Sequence, residues 1–120
     1  MENPQLNLLP LIEVHVVGSL AERFEAFHKA NPQVYVAMKK LTHRISTSGR
    51  REYSIAGIFE VIRFSWAIQT RSLDDYKINN NYKPFYARLL NRDPEVPDGF
   101  FAERSAEADL WIDEYMRRAA

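Results

Sequence analysis

Apolar positions recur at helical spacing through most of this chain, and the breaks between stripes fall at residues that start or stop helices. In "GSLAERFEAFHKANP" Ser19 stands three residues before Glu22, the spacing of a capping box, and Leu20, Phe24 and Phe27 then share one face. Asn31 and Pro32 end that helix, and the same pair opens the next, with Asn31 as N-cap and proline at the first helical position. Val34, Met38, Leu41 and Ile45 continue as a stripe until "STSGRRE" interrupts it. Ser54 is the expected cap of "SIAGIFEVIRF", in which Ile55, Ile58, Phe59 and Ile62 make one face and Val61 widens it. This helix is expected to be the most buried.

Beyond Arg63 the period is ambiguous. Phe64, Trp66 and Ile68 alternate with Ser65, Ala67 and Gln69, a pattern that suits a continuing buried helix or a short strand. "TRSLDD" has the composition of a turn. In "INNNYKPFYARLL" Asn81 is expected to cap a helix whose first turn contains Pro84, where a missing N–H removes no helical bond. Tyr82, Phe85, Tyr86, Leu89 and Leu90 form its apolar stripe, and Pro84, Ala87, Arg88 and Asn91 its opposite face. The three asparagines are explained by tight local entry into the helix, with contacts to nucleic-acid bases as the functional alternative. Phe100 and Phe101 are expected to pair with Tyr76–Ile78 as a small ladder. "SAEADLWIDEYMRRAA" reads as a closing helix, with Ser105 as cap and Leu110, Trp111 and Tyr115 as anchors. "LIEVHVV" near the N-terminus alternates like a strand, or serves as an extended arm.

The expected fold is therefore mainly α, one domain over residues 1–120 with an arm or strand at 1–17 and a C-terminal helix at 105–120. Two helices, Pro32 to Ser46 and Ser54 to Arg63, with a hairpin from Phe64 to Ile78, would give the order of a winged helix-turn-helix. The eight-residue connection from Thr47 to Ser54 is longer than that motif uses.

Composition narrows the chemistry. The 120 residues contain no cysteine, which excludes disulfides, thiolate zinc sites and cysteine nucleophiles and suits a reducing compartment. The N-terminus lacks a basic stretch before an apolar run, and no run is long enough to span a membrane, so the expected location is the cytoplasm. Net charge is zero, but its distribution is uneven. "KKLTHRISTSGRR" holds five Lys/Arg, one His and no acid, whereas Asp93 to the end holds eight Asp/Glu against three Lys/Arg. A basic region can hold phosphates while the whole molecule stays neutral, although charge runs also occur simply as solvated helix faces.

Four stretches carry a resemblance. "FHKANPQVYVAMKKL", "GRREYSIAGIFEVIRF", "YKINNNYKPFYARLL" and "GFFAER", in that order, are similar to a group of small uncharacterised helical proteins encoded by bacteriophages and prophages. The likeness runs from about Phe27 to Arg104. It implies a phage setting in a bacterial host cell and carries no catalytic residues.

The functional expectation is DNA binding without catalysis. Lys39, Lys40, Arg44, Arg50 and Arg51 would contact phosphates, with Arg63 as the one typical base reader on the second helix. Glu60 would oppose phosphate unless paired with Arg63. The alternative is a protein-interaction module, such as a phage factor that binds a host protein, with Tyr35, Tyr53, Tyr82, Trp111 and Tyr115 as candidate anchors. Ordinary core packing is the simpler role for each of these aromatics. The charge layout also permits a homodimer. An enzyme has the least support. His15, His28 and His43 are scattered without metal-ligand spacing, the four glycines form no phosphate loop, and Glu60, Asp75 and Lys77 are too loosely spaced to define a nuclease triad. No cofactor and no metal are expected.

Overall fold

A computed structural model of the chain describes residues 6–71 and 78–120. Among these residues the helices are α1 (Leu20–Ala30), α2 (Pro32–Thr47), α3 (Ile55–Thr70), α4 (Lys83–Arg92) and α5 (Ala108–Ala119), with a 3-10 turn at Asn80–Tyr82. The mainly α class stands. Helix α1 packs on α2, α2 on α3, α3 on α4, and α4 on α5.

The start of α1 follows from its sequence: Ser19 Oγ accepts from the Glu22 amide at 3.1 Å, and Glu22 Oε1 accepts from the Ser19 amide at 3.1 Å. The helix buries Phe24 and Phe27 and ends where the Asn31 amide donates to Phe27 O. Pro32 then opens α2, but the Asn31 side chain caps nothing on that helix. It turns back to hold the N-terminal segment, accepting from the Ile12 amide at 2.7 Å and donating to the Ile12 carbonyl at 2.8 Å. Leu6 and Leu8 are thereby anchored in the core, with Gln33 donating to the Leu8 and Pro10 carbonyls.

Helix α2 buries Val34, Ala37, Met38, Leu41 and Thr42. It ends in Ser46, Thr47 and Ser48, whose hydroxyls donate to carbonyls three residues back and compete with the helical ladder. Gly49, at φ +103°, makes the turn that a side chain would strain. Ser54 caps α3, which buries Ile58, Phe59, Ile62 and Trp66. At Gly57 a Cβ would meet the Tyr53 ring at 2.7 Å, so this glycine lets Tyr53 lie against the first turn.

Several expectations need correction. Helix α3 runs to Thr70, so no hairpin begins at Phe64: the alternation after Arg63 is helical, with Trp66 inward and Phe64 and Ile68 outward. The entry to α4 differs from the expectation: Asn79, two residues before Asn81, caps the 3-10 turn by accepting from the Asn81 amide at 2.8 Å, and α4 follows at Lys83 with no side-chain cap. Pro84 still falls in the first turn of α4. The face of α4 opposite its apolar stripe is covered as well, since Ala87 and Arg88 are each only 1% exposed. Phe101 bridges Tyr53 in parallel, and the Tyr53 amide donates to Phe100 O at 3.0 Å. The expected Tyr76–Ile78 ladder falls largely outside the described residues, as do the turn at 72–75 and the acidic and basic members of the triad, Asp75 and Lys77. Ser105 is not the cap of α5, which starts three residues later behind Glu107.

Helix α4 is the hub, with every residue from Phe85 to Leu90 buried. Phe24 of α1 meets Phe85 and Tyr86 at 4.9 Å and Trp111 of α5 at 5.3 Å between ring centroids. Trp111 Nε1 and Arg118 both donate to Glu25, which ties α5 to α1. The radius of gyration, 14.1 Å, is close to the ~13.6 Å expected of one packed domain of this length.

Arg88 closes the far side. Its guanidinium donates to the Pro84 carbonyl at 2.9 Å, to the Arg104 carbonyl at 2.6 Å, and to Asp109 Oδ1 at 2.6 and 3.0 Å. Asn91 repeats the device seen at Asn31, donating to Phe101 O at 2.8 Å and accepting from the Phe101 amide at 3.1 Å. These two side chains hold the acidic 93–107 loop on the domain.

Candidate functional site

The side of α2 away from the core carries Val36, Lys39, Lys40, His43 and Arg44, positions three, four, seven and eight apart that a helix brings to one surface. With Glu95 from the loop after α4 they line one open cleft of about 840 Å³. Helical spacing alone makes the α2 part of this set legible, including His43, which sequence reasoning set aside as a scattered histidine. Glu95 comes from the acidic part of the chain and has no local signal.

Lys39 is held by that acidic loop. Its ammonium lies 3.1 Å from Asp93 Oδ2 and 2.6 Å from Glu95 Oε2. Hydrogen bonds from Glu95 and then Asp93 raise its pKa above the usual lysine range. Burial works against ionisation of Asp93, yet the Glu95 amide, the Tyr35 hydroxyl and Lys39 outweigh it and hold the carboxyl below its ordinary range. Tyr35 donates to Asp93 Oδ2 at 2.7 Å, and burial followed by that carboxylate pushes its phenol well upward. Lys39 is therefore first a fastening point for the loop.

Lys40 and His43 remain exposed and Arg44 half-buried at the cleft. With Lys39 offset by Asp93 and Glu95, the cleft by itself attracts anions only modestly. Arg50 and Arg51 add two exposed cations in the turn after α2, the first 5.8 Å over the Tyr53 ring. They do not line the cleft, and neither does Arg63, exposed on α3. Of the six expected contacts, then, the structure brings three together.

The outward face of α3 differs in character. Phe64 and Ile68 are 66% and 61% exposed, and Val61 joins them in a helical stripe. Among the proposed aromatic anchors, Tyr82 and Trp111 belong to the core, and Tyr35, Tyr53 and Tyr115 are half-buried against it. His28 is also inside, stacked on Phe24 at 5.6 Å and near Tyr35, Tyr86 and Tyr115. Burial holds its imidazole below the ordinary value, against the opposing pull of Glu25. Among the described residues no helix is long and apolar enough to cross a membrane, and no group of three or more His, Asp or Glu side chains could hold a metal ion.

No protein-family model, curated protein or solved structure matches this chain.

Proposed function

We propose that the protein binds nucleic acid, and DNA in the first place, through the phosphate backbone, as a small phage-type protein acting in the cytoplasm of a bacterial host. The observation that supports this reading is the convergence of Lys39, Lys40, His43 and Arg44 on one open cleft, with Arg50 and Arg51 just beyond the end of the same helix. Cations arranged in this way position a protein on a duplex without reading its sequence.

The α2–turn–α3 pair has the order of a helix-turn-helix, but an outward α3 face of Val61, Phe64 and Ile68 offers bases few hydrogen bonds. The contact surface in this reading is α2 and the turn after it. The test is fluorescence anisotropy of a short labelled duplex at low salt. Binding should weaken by roughly tenfold or more when Lys40, Arg44, Arg50 and Arg51 are all replaced by glutamine. Absence of binding, or equal binding by that variant, rules the reading out.

A second reading, a factor that binds a host protein, draws on the exposed Val61–Phe64–Ile68 stripe, since apolar patches mark interaction sites. A host partner lost with Phe64→Asp and kept when the cations are neutralised would favour it.

A further inference from the structure

The cleft on α2 contains an anion of the protein's own. Glu95 Oε2 lies 2.6 Å from the Lys39 ammonium, and Glu95 lines the cleft together with Val36, Lys40, His43 and Arg44. A carboxylate and a phosphate are both oxyanions that take charge-assisted hydrogen bonds from an ammonium. The Glu95 carboxylate therefore sits where a phosphate oxygen would sit on Lys39.

The two carboxylates on Lys39 are held very differently. Asp93 belongs to the frame: its Oδ2 accepts from the Tyr35 hydroxyl at 2.7 Å and lies 3.1 Å from Lys39, and its Oδ1 accepts from the Glu95 amide at 2.9 Å. Its side chain is only 11% exposed. The Glu95 side chain is 72% exposed and, among the described residues, has Lys39 as its one ion-pair partner. Its main chain is fixed independently of that pair. The Glu95 amide is held by Asp93, the next residue, Val96, is buried, and the Val96 amide donates to Asp93 O at 3.0 Å. The Glu95 carboxylate can thus turn out into solvent while the loop stays fastened and Asp93 keeps Lys39 at the cleft.

The exchange is easy on energetic grounds. An exposed ion pair contributes a factor of up to about fivefold. A phosphate backbone presents several charges along its length and reaches Lys40 and Arg44 in the same cleft as Lys39. A polyanion therefore outcompetes one carboxylate held by one lysine.

Building on the nucleic-acid reading above, we infer that Lys39 is a phosphate-binding position of the cleft and that Glu95 is an internal competitor, seated on Lys39 in the free protein and displaced by a DNA phosphate. Asp93 does not exchange. Glu95 holds the affinity of the free protein below what its cations alone would give, and Lys39, which its ion pairs mark as a structural residue, becomes a ligand contact once Glu95 leaves.

Fluorescence anisotropy of a labelled duplex at low salt tests this. Glu95→Gln removes the charge of the competitor and should tighten binding about three- to fivefold relative to wild type. Asp98→Asn removes one charge from the same loop at an exposed residue that does not line the cleft, and should change affinity by less than about 1.5-fold. With Lys39→Met already in place, the effect of Glu95→Gln should shrink to that of Asp98→Asn, because the lysine through which Glu95 acts is gone. Glu95 and Asp98 are exposed, so thermal melts should show both single variants folded as wild type. A wild type that binds, with Glu95→Gln binding no more tightly, overturns the competitor and leaves the nucleic-acid reading standing. So does an equal gain from Asp98→Asn, or a gain from Glu95→Gln that persists undiminished without Lys39. If neither wild type nor Glu95→Gln binds the duplex, the nucleic-acid reading falls and the competitor with it.

Discussion

Replacing Asn31 by alanine should release the N-terminal segment and destabilise the whole domain. The residue is fully buried, and its amide makes the two short bonds to Ile12 and a third, at 3.2 Å, to Phe27 O. A net value of about 0.5–1.5 kcal/mol per bond puts the two Ile12 contacts at about 2 kcal/mol. The Phe27 carbonyl keeps its bond from the Asn31 backbone amide, so that third contact adds little. The small void left by alanine raises the expected loss to about 2–3 kcal/mol. In a domain of this size that lowers Tm by about 6–12 °C. Urea unfolding followed by tryptophan fluorescence measures the loss, and limited proteolysis should show earlier cleavage within residues 9–18. A loss below about 0.5 kcal/mol, the level of an ordinary surface change, would refute the claim that one side chain fastens the N-terminal segment.

Two further outcomes follow from buried charge. Arg88→Met should cost about 1–3 kcal/mol in urea unfolding, because it strips the Arg104 carbonyl and Asp109 of the guanidinium, while the Pro84 carbonyl keeps its helical amide, and Arg88→Lys should not restore the loss, since an ammonium cannot reproduce the guanidinium fork. Stability should depend on pH through His28. Its folded pKa lies below the ordinary 6.5, so its contribution is complete above that pH and declines as pH falls through the folded value. Glu25 and Asp93, also lowered, keep their contributions above the usual carboxylate range and lose them in stronger acid. His28→Phe should remove the first, near-neutral part of the decline and leave the acid part, as followed by unfolding at a series of pH values.

The local starts and stops of this fold were legible because they depend on neighbours in sequence. The Ser19–Glu22 capping box, the Asn31–Pro32 break, the Ser54 cap and the apolar stripe of α4 all formed as their spacing required. What misled was the tertiary layer. Arg88 reads as a polar-face residue until Asp109 and the Arg104 carbonyl, both distant in sequence, close over it. Asn31 reads as a cap, but Ile12, nineteen residues earlier, takes its side chain. The alternation at Phe64, Trp66 and Ile68 imitates a strand because α3 leaves two of the three in solvent. At the candidate site the α2 cations share a face by helical period alone. The carboxylates that offset Lys39 come from beyond α4, and no pattern in the basic segment announces them.

The most direct test of the functional account is the salt dependence of DNA affinity, measured by anisotropy on wild type and on the variant with Lys40, Arg44, Arg50 and Arg51 replaced by glutamine. Phosphate contacts by three or four of these side chains predict a slope of log affinity against log salt of about −3 for wild type, shrinking to about −1 or less in the variant. A wild-type slope near zero, or the same slope in both proteins, would contradict a role for this face of α2 in holding a polyanion.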